Sequence, residues 1–208
     1  MTLKLDMSKT YDRVEWKFLI EVMRNMGFCE TWIAIIFQCI STVSYSIMVN
    51  DEPKGDIYPT RGIRQGDPLS PYLFLLCSEG LNRMLQKAAR ESLIRGYPLC
   101  KNGPRITHLF FADNNLLFCR ARMEGLQVIQ HILGRYEQAS GQQINRTKTT
   151  LFFSKAVVEE KKREILNFLG VPNIKEYEKY LGLPVVVGRK KMASLNYIKE
   201  RVWTKLQG

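Results

Sequence analysis

The chain has 208 residues, 45% of them hydrophobic and 25% charged, with 31 Lys and Arg against 20 Asp and Glu for a net charge of +11. That composition describes one globular core and not a disordered tail, and no apolar run approaches the roughly 20 residues of a membrane span. Lys4 and Asp6 interrupt any secretory apolar run, and the odd set of five cysteines, no two closer than ten residues, argues against a disulfide framework and Cys-x-x-Cys zinc ligation. The expectation is an intracellular protein, nuclear or cytoplasmic, with no membrane partner and with reduced, mostly buried thiols.

Residues 2–7 alternate around Leu3 and Leu5 as a short strand, read as carrying Asp6 along the apolar face. Val14, Phe18, Leu19, Val22, Met23 and Met26 recur at three and four, and Gly27 supplies a stop, which predicts a helix over 14–26. A second helix is expected over 31–42. Residues 44–50 and 57–59 predict a hairpin joined by a polar turn over 50–56. The stretch from Arg61 to Pro71 reads as a loop with two glycines, two prolines and two arginines. Ser70 is expected to cap the next helix, with Pro71 at its first position and an end near Arg90.

Over 106–119 the pattern is strand, tight turn, strand, with Asp113, Asn114 and Asn115 as the polar tip of an apolar hairpin. A helix from about Glu124 ends at Gly141, a strand covers 149–153, and a charged amphipathic helix runs from Glu159 to Gly170. A hairpin around Tyr180, Leu181, Gly182, Leu183 and Pro184 precedes a basic helix from Lys190 to Lys205. Strands and helices mix without regular alternation, so the fold class is α+β in a single domain. Neither end of the sequence reads as a domain edge, as expected of a fragment.

Charge is unevenly placed. Residues 1–104 hold 13 basic and 11 acidic side chains, whereas residues 105–208 hold 18 and 9, a local surplus of +9. Such a field attracts polyanions, because each neutralised phosphate releases counterions, so nucleic acid is the leading partner class; a merely solubilising surface is the alternative. The chain contains no P-loop, dinucleotide-binding glycine motif, zinc-protease helix or nucleophile elbow. His108 in an apolar strand and His131 on a helix read as structural, and the sequon at Asn145 as chance. What remains is Asp6 and Asp113, each beside apolar strand residues. Two converging carboxylates repel unless a cation sits between them, and Mg²⁺ accepts one or two carboxylates together with substrate phosphates. A turn role for Asp113 and a turn or cap role for Asp6 is the competing reading.

Five blocks, in order, now bear on that choice: Lys4 to Trp16, Arg61 to Pro71, Phe110 to Asp113, Ser140 to Asn145 with Lys148, and Lys179 to Pro184. Together they resemble the reverse transcriptases of non-LTR, LINE-type retrotransposons, most closely those of plants. The resemblance implies a polymerase palm over residues 1–176, and over 177–208 a primer-gripping hairpin with the start of a thumb. It implies an RNA-directed DNA polymerase acting on an RNA template, a DNA primer and deoxynucleoside triphosphates. Asp6 and Asp113 would hold two Mg²⁺ ions for in-line nucleotidyl transfer to the primer 3′-hydroxyl.

By the same resemblance Tyr11 would stand against the sugar 2′ position, with ordinary packing as the alternative. Gln65 and Gly66 would lie against the nascent base pair, and Arg61 and Arg64 would reach phosphate or simply face solvent. Lys148 would protonate the leaving pyrophosphate. Tyr180, Leu181 and Gly182 would grip the primer strand. The family carries two adjacent aspartates at the hairpin tip, but here Asp113 is followed by Asn114. That departure, and the lack of a counterpart to the family's fingers segment in these 208 residues, imply an impaired enzyme. The alternatives are a non-catalytic nucleic-acid-binding remnant and an inert product of a degenerate retroelement copy.

Overall fold

The computed structural model describes residues 1–101, 103–111, 114–171, 179–180, 183–184 and 191–207. They group into two compact units, Met1–Asn173 and Ile174–Gly208.

In the first unit the chain opens with β1 (Thr2–Ser8), in which Leu3, Leu5 and Met7 are buried and the residues between them are half-exposed. Period-two side-chain alternation therefore puts Asp6 on the face opposite the leucines, not along the apolar face. The parity of the strand allows no other arrangement once Leu3 and Leu5 face the core. Helices α1 (Trp16–Asn25) and α2 (Glu30–Ser41) follow. Gly27 ends α1 with φ +88°, a backbone state that costs glycine no Cβ clash.

The hairpin of β2 (Tyr45–Val49) and β3 (Glu52–Ile57) is tighter than the sequence pattern suggests. Its turn is Asn50-Asp51 alone, both at positive φ, and Pro53 to Asp56 belong to the strand. Asn and Asp tolerate that region, and Pro53 is accommodated because a two-stranded ribbon leaves its N–H side unpaired. Helix α3 (Ser70–Arg90) starts with Pro71 in its first turn, but Ser70 does not cap it. Ser70 is buried inside the helix, and the Asp67 Oδ1 accepts the Leu69 N–H at 2.7 Å instead. That bond closes a turn just before the helix, whose N-cap position is Leu69 with no side-chain cap.

Two short strands, β4 (Tyr97–Pro98) and β5 (Arg105–Ile106), pair with each other. Then β6 (His108–Phe111) and β7 (Asn114–Phe118) form the central hairpin. Asn114 and Asn115 are strand residues, so the expected tip extends two residues too far, into β7. Helix α4 (Met123–Ser140) ends on Gly141 at φ +73°, β8 (Gln143–Ile144) and β9 (Thr150–Phe152) complete the sheet, and α5 (Glu159–Leu169) ends on Gly170.

The sheet runs β6-β7-β1-β8, with β9 also paired to β1, and each of these pairings is antiparallel. One face carries Leu3, Leu5, Leu117 and Leu151, which pack against Leu81 and Leu85 of α3, Leu126 and Ile129 of α4 and Ile165 of α5. Each such side chain contributes about 1.5–3 kcal/mol on burial. A second cluster joins α1, α2 and the start of α3 through Leu19, Met23, Ile33, Leu73 and Phe74. Of the five cysteines only Cys77 and Cys119 are buried; Cys29 just before α2, Cys39 within it and Cys100 in the loop after β4 are exposed. In the second unit, β10 (Lys179–Tyr180) pairs with β11 (Leu183–Pro184), and α6 (Lys191–Gln207) follows. Among the described residues no helix is long and apolar enough to cross a membrane.

Candidate active site

Asp6 stands directly opposite Asn114 in the β1–β7 register. Its own backbone bonds go the other way: its carbonyl accepts the Asn145 N–H at 2.8 Å, and its N–H donates to the Thr149 Oγ1 at 3.4 Å. An antiparallel residue sends both backbone groups to one side, so Asp6 and Asn114 form a non-hydrogen-bonded pair, whose Cα atoms lie roughly 4.5 Å apart with side chains close on one face. That face is open at the edge, where Leu109 and Phe111 are 45% and 58% exposed. Asp113, the other predicted catalytic carboxylate, lies outside the described residues, one peptide bond from Asn114.

The turn after β8 brackets Asp6. Asn145 accepts at its carbonyl from the Thr149 N–H and hydroxyl, both at 2.9 Å, and its Oδ1 accepts from the Thr147 hydroxyl at 2.7 Å. Lys148, exposed, is carried on this turn, its N–H donating to the Asn145 carbonyl at 3.2 Å. The block from Ser140 to Lys148 thereby acquires a structural meaning that the sequence pattern did not reveal.

Its first half holds the segment that continues from β1. The Ser140 carbonyl accepts the Glu15 N–H at 2.8 Å. A Cβ on Gly141 would come within 2.4 Å of the Arg13 carbonyl oxygen, so only glycine permits this approach. The buried Gln142 donates from Nε2 to the Thr10 carbonyl at 3.1 Å and accepts the Tyr136 hydroxyl at 2.7 Å. Burial holds the Tyr136 phenol well above its usual range, chiefly by desolvation, so it remains a donor. Gln142, Asn145 and Thr149 are the positioning residues that sequence reasoning missed. The only signal was their place in a motif.

Tyr11, next to Thr10, stacks on Phe74 with ring centroids 5.3 Å apart and is half-buried. Its carbonyl accepts the Ile63 N–H at 3.0 Å, while the Gly62 N–H donates to Val14 and the Trp16 indole to the Gly62 carbonyl at 2.6 Å. These bonds tie the Arg61–Gly66 loop to the turn that leaves β1. Arg61, Arg64 and Gln65 line an open cleft of about 460 Å³ together with Asp12, Tyr45 and Ile57. Arg61 also meets Glu15 at 3.5 Å, Arg64 is exposed, and Gly66 has φ +88° with open space around it. The Tyr11 ring packs toward Phe74 and not into this cleft.

Tyr180 lies in β10, and Leu181 and Gly182, between β10 and β11, lie outside the described residues. His108 is structural in its contacts: its Nε2–H donates to the Asn82 Oδ1 at 2.6 Å, and Nδ1 faces the Thr107 hydroxyl at 2.9 Å. Burial lowers its pKa, with Glu79 opposing. Among the described residues no three His, Cys, Asp or Glu side chains gather into a metal-binding group.

Residues 1–174 match the family model described as reverse transcriptase (RNA-dependent DNA polymerase). The chain belongs to that family. It is 32% identical over 116 residues to a Pol polyprotein from the type-1 retrotransposable element R2 of Popillia japonica, a match covering 55% of this chain and 18% of that protein. An uncharacterized mitochondrial protein of Arabidopsis thaliana is 48% identical over 67 residues, 32% of this chain and 55% of that one. The chain thus spans only part of the curated relatives it matches. Among solved structures, apo telomerase from Candida tropicalis superposes with a TM-score of 0.62 at 14% identity, over 88% of this chain and 33% of that one. Telomerase from Candida albicans gives 0.60 at 15% identity, over 88% and 29%. These structures share the α+β polymerase fold expected from the sequence, and the transposon relatives agree with a non-LTR reverse transcriptase.

Proposed function

We propose that this reverse transcriptase domain is the palm of an RNA-directed DNA polymerase, taking an RNA template, a DNA primer and deoxynucleoside triphosphates, and that Asn114 leaves it severely impaired. The observation that carries the reading is the Asp6–Asn114 pair, which sets the residue after Asp113 beside Asp6 on the open sheet face. The donor set fits a hard divalent cation: Asp6 and Asp113 supply carboxylate oxygen, and Mg²⁺ takes one or two such ligands with phosphates and water completing its shell. When bound, Mg²⁺ would offset phosphate charge and acidify the primer 3′-hydroxyl.

The chain's own residues do the rest. Asn145 and Thr149 fix the Asp6 backbone, and so the direction of its carboxylate. Gln142 and Gly141 hold the turn that carries Tyr11, whose ring stacks on Phe74 outside the cleft lined by Arg61 and Arg64 and is assigned to the incoming sugar on the family pattern alone. Arg61, Arg64 and Gln65 present donors in one cleft to phosphate and base, with Gly66 leaving its backbone approachable. Lys148, on the turn that brackets Asp6, donates a proton to the departing pyrophosphate. Residues 1–176 form the palm, and 177–208 supply a primer grip at Tyr180, Leu181 and Gly182 and the first thumb helix.

Asn114 replaces a carboxylate by a neutral amide. At ~4 Å and an effective dielectric of ~20, one unit-charge attraction is about 4 kcal/mol. At 1.36 kcal/mol per tenfold, that corresponds to roughly 10³-fold in rate. Primer extension on an RNA template tests the reading with Asn114→Asp and Asn114→Asp/Asp6→Asn. The first should exceed the parent by at least ~10²-fold, and the second should abolish the gain. Equal extension by all three, or none by Asn114→Asp, would falsify it. The same Asn114 favours a second reading, a nucleic-acid-binding remnant without catalysis, which salt-dependent RNA affinity without restored extension would support.

A further inference from the structure

At the far end of β1 from Asp6, a different group of side chains converges. Phe118 pairs with Thr2, and the chain then runs through Arg120 and Arg122. Thr2 and Asp6 are four residues apart, about 13 Å of strand at ~3.3 Å per residue, so this region lies well away from the Asp6–Asn114 pair. Arg95 and Arg105 approach from the β4–β5 hairpin, and with Arg90 they line an open cleft of about 660 Å³ whose floor includes Gly96 and Thr107. All five arginines are exposed.

The charges in this group are of one sign. Repulsion from Arg95 lowers the Arg120 pKa, with desolvation next and then repulsion from Arg122 and Arg105. Among the described residues none of the five arginines is ion-paired with a carboxylate: Glu91 is engaged by Lys87, and Glu79, which shares a small cleft with Arg90, by Arg83. Among the described residues Arg105 reaches a backbone acceptor, the Gly96 carbonyl at 3.3 Å, and Arg90 reaches Gln86 at 3.4 Å. A surface cation usually has a carboxylate nearby, so a convergent group without one is stabilised best by an external anion. Arginine, not lysine, fills every position, as suits bidentate contact with phosphate oxygens. The exposed Tyr97 on the same hairpin adds a ring face on which a base can stack.

We infer that Arg95, Arg105, Arg120 and Arg122, with Arg90 at the margin, form a second binding surface for the phosphodiester backbone of single-stranded RNA, separate from the Asp6 face. Contacts there are to phosphate, and so independent of sequence. Such a surface would retain the RNA strand while the catalytic face is empty. The inference rests on the reading that this domain engages RNA.

Fluorescence anisotropy with a labelled 20-nucleotide RNA, titrated with the full chain across a salt series, tests it. Arg95→Ala/Arg120→Ala/Arg122→Ala removes three cations and spares Arg105, which braces the hairpin. Lys17→Ala/Lys155→Ala/Arg163→Ala removes three exposed cations elsewhere and serves as the matched control. The arginine variant should bind at least ~10-fold more weakly, and its log–log salt slope should fall by about 2, from ~0.7 per phosphate contact on a single strand. The control should stay within about 2-fold. Equal losses in the two variants would overturn the second surface while leaving RNA binding intact; absence of salt-dependent affinity in the parent chain would overturn both. Because removing like charges relieves repulsion, the arginine variant should unfold at an unchanged or higher urea concentration. If it unfolds earlier, the single Arg120→Glu, at the centre of the cluster, makes the same comparison and must weaken binding more than Arg163→Glu.

Discussion

Replacing Gln142 by alanine isolates the contact that joins the α4 end to the turn carrying Tyr11. In the native chain Gln142 is 1% exposed and serves two partners, the Thr10 carbonyl at 3.1 Å and the Tyr136 hydroxyl at 2.7 Å. Alanine leaves the Thr10 carbonyl without that donor and leaves the Tyr136 hydroxyl with the Cys77 carbonyl at 3.4 Å, a long and weak alternative. A buried polar group stripped of its partner costs about 1–3 kcal/mol, so Gln142→Ala should lose about 3 kcal/mol. With a urea m-value of ~2 kcal/mol/M that is a midpoint shift of about 1.5 M, at unchanged m. Tyr136→Phe removes one partner only, leaves the Thr10 bond in place, and should cost about 1 kcal/mol. The double variant should cost less than the sum, with a coupling of about 1 kcal/mol, because both single changes break the same bond. Urea unfolding followed by tryptophan fluorescence reads all three. If Gln142→Ala costs under ~0.5 kcal/mol, as a solvated side chain would, or if the two changes simply add, the network does not hold the turn.

Gly62 and Gly66 share φ +88°, but a Cβ on Gly62 would stand 2.7 Å from the Asp12 carbonyl oxygen while one on Gly66 meets nothing within 4 Å. Thermal unfolding should therefore find Gly66→Ala costing about 1–2 kcal/mol of backbone strain and Gly62→Ala clearly more; equal costs would deny the docking of this loop. His108 has its pKa lowered by burial, so the folded chain binds fewer protons than the unfolded one as pH falls below about 6.5. Its contribution is present above pH 6.5 and declines from there down through the lowered folded value; His108→Gln should flatten the stability profile in that window, and an unchanged slope would contradict the assignment. Burial pushes the Cys119 thiol up to about 11 and Cys77 up to about 12. Alkylation of the native chain at pH 8 should thus modify Cys29, Cys39 and Cys100 and spare the other two until urea is added; early labelling of Cys77 would refute the packing of α3.

Much of this was legible locally. Gly27, Gly141 and Gly170 each end a helix at positive φ where the pattern placed a stop. The misreadings also have local causes. Pro53 and Gly55 are turn formers, yet Asn50 and Asp51 alone make the hairpin turn, and the strand absorbs the other two at a ribbon edge. Strands of two residues, such as Gln143–Ile144, are too short to show any period. The side on which Asp6 lies was available from parity, since Leu3, Leu5 and Met7 share the opposite one.

By itself the sequence determined family membership and element type, because motifs, capping glycines and side-chain periods are properties of a few neighbouring residues. Only the tertiary structure decided that β1 lies between β7 and the β8–β9 side, and therefore which groups meet Asp6. Thr149 reaches Asp6 across 143 positions, and Gln142 reaches Thr10 across 132. Nothing in a local period encodes such contacts. They follow from the stacking of α3, α4 and α5 on one sheet face, which leaves the other face open at its edge and brings together Asp6 and Asn114 at one end and the arginines at the other.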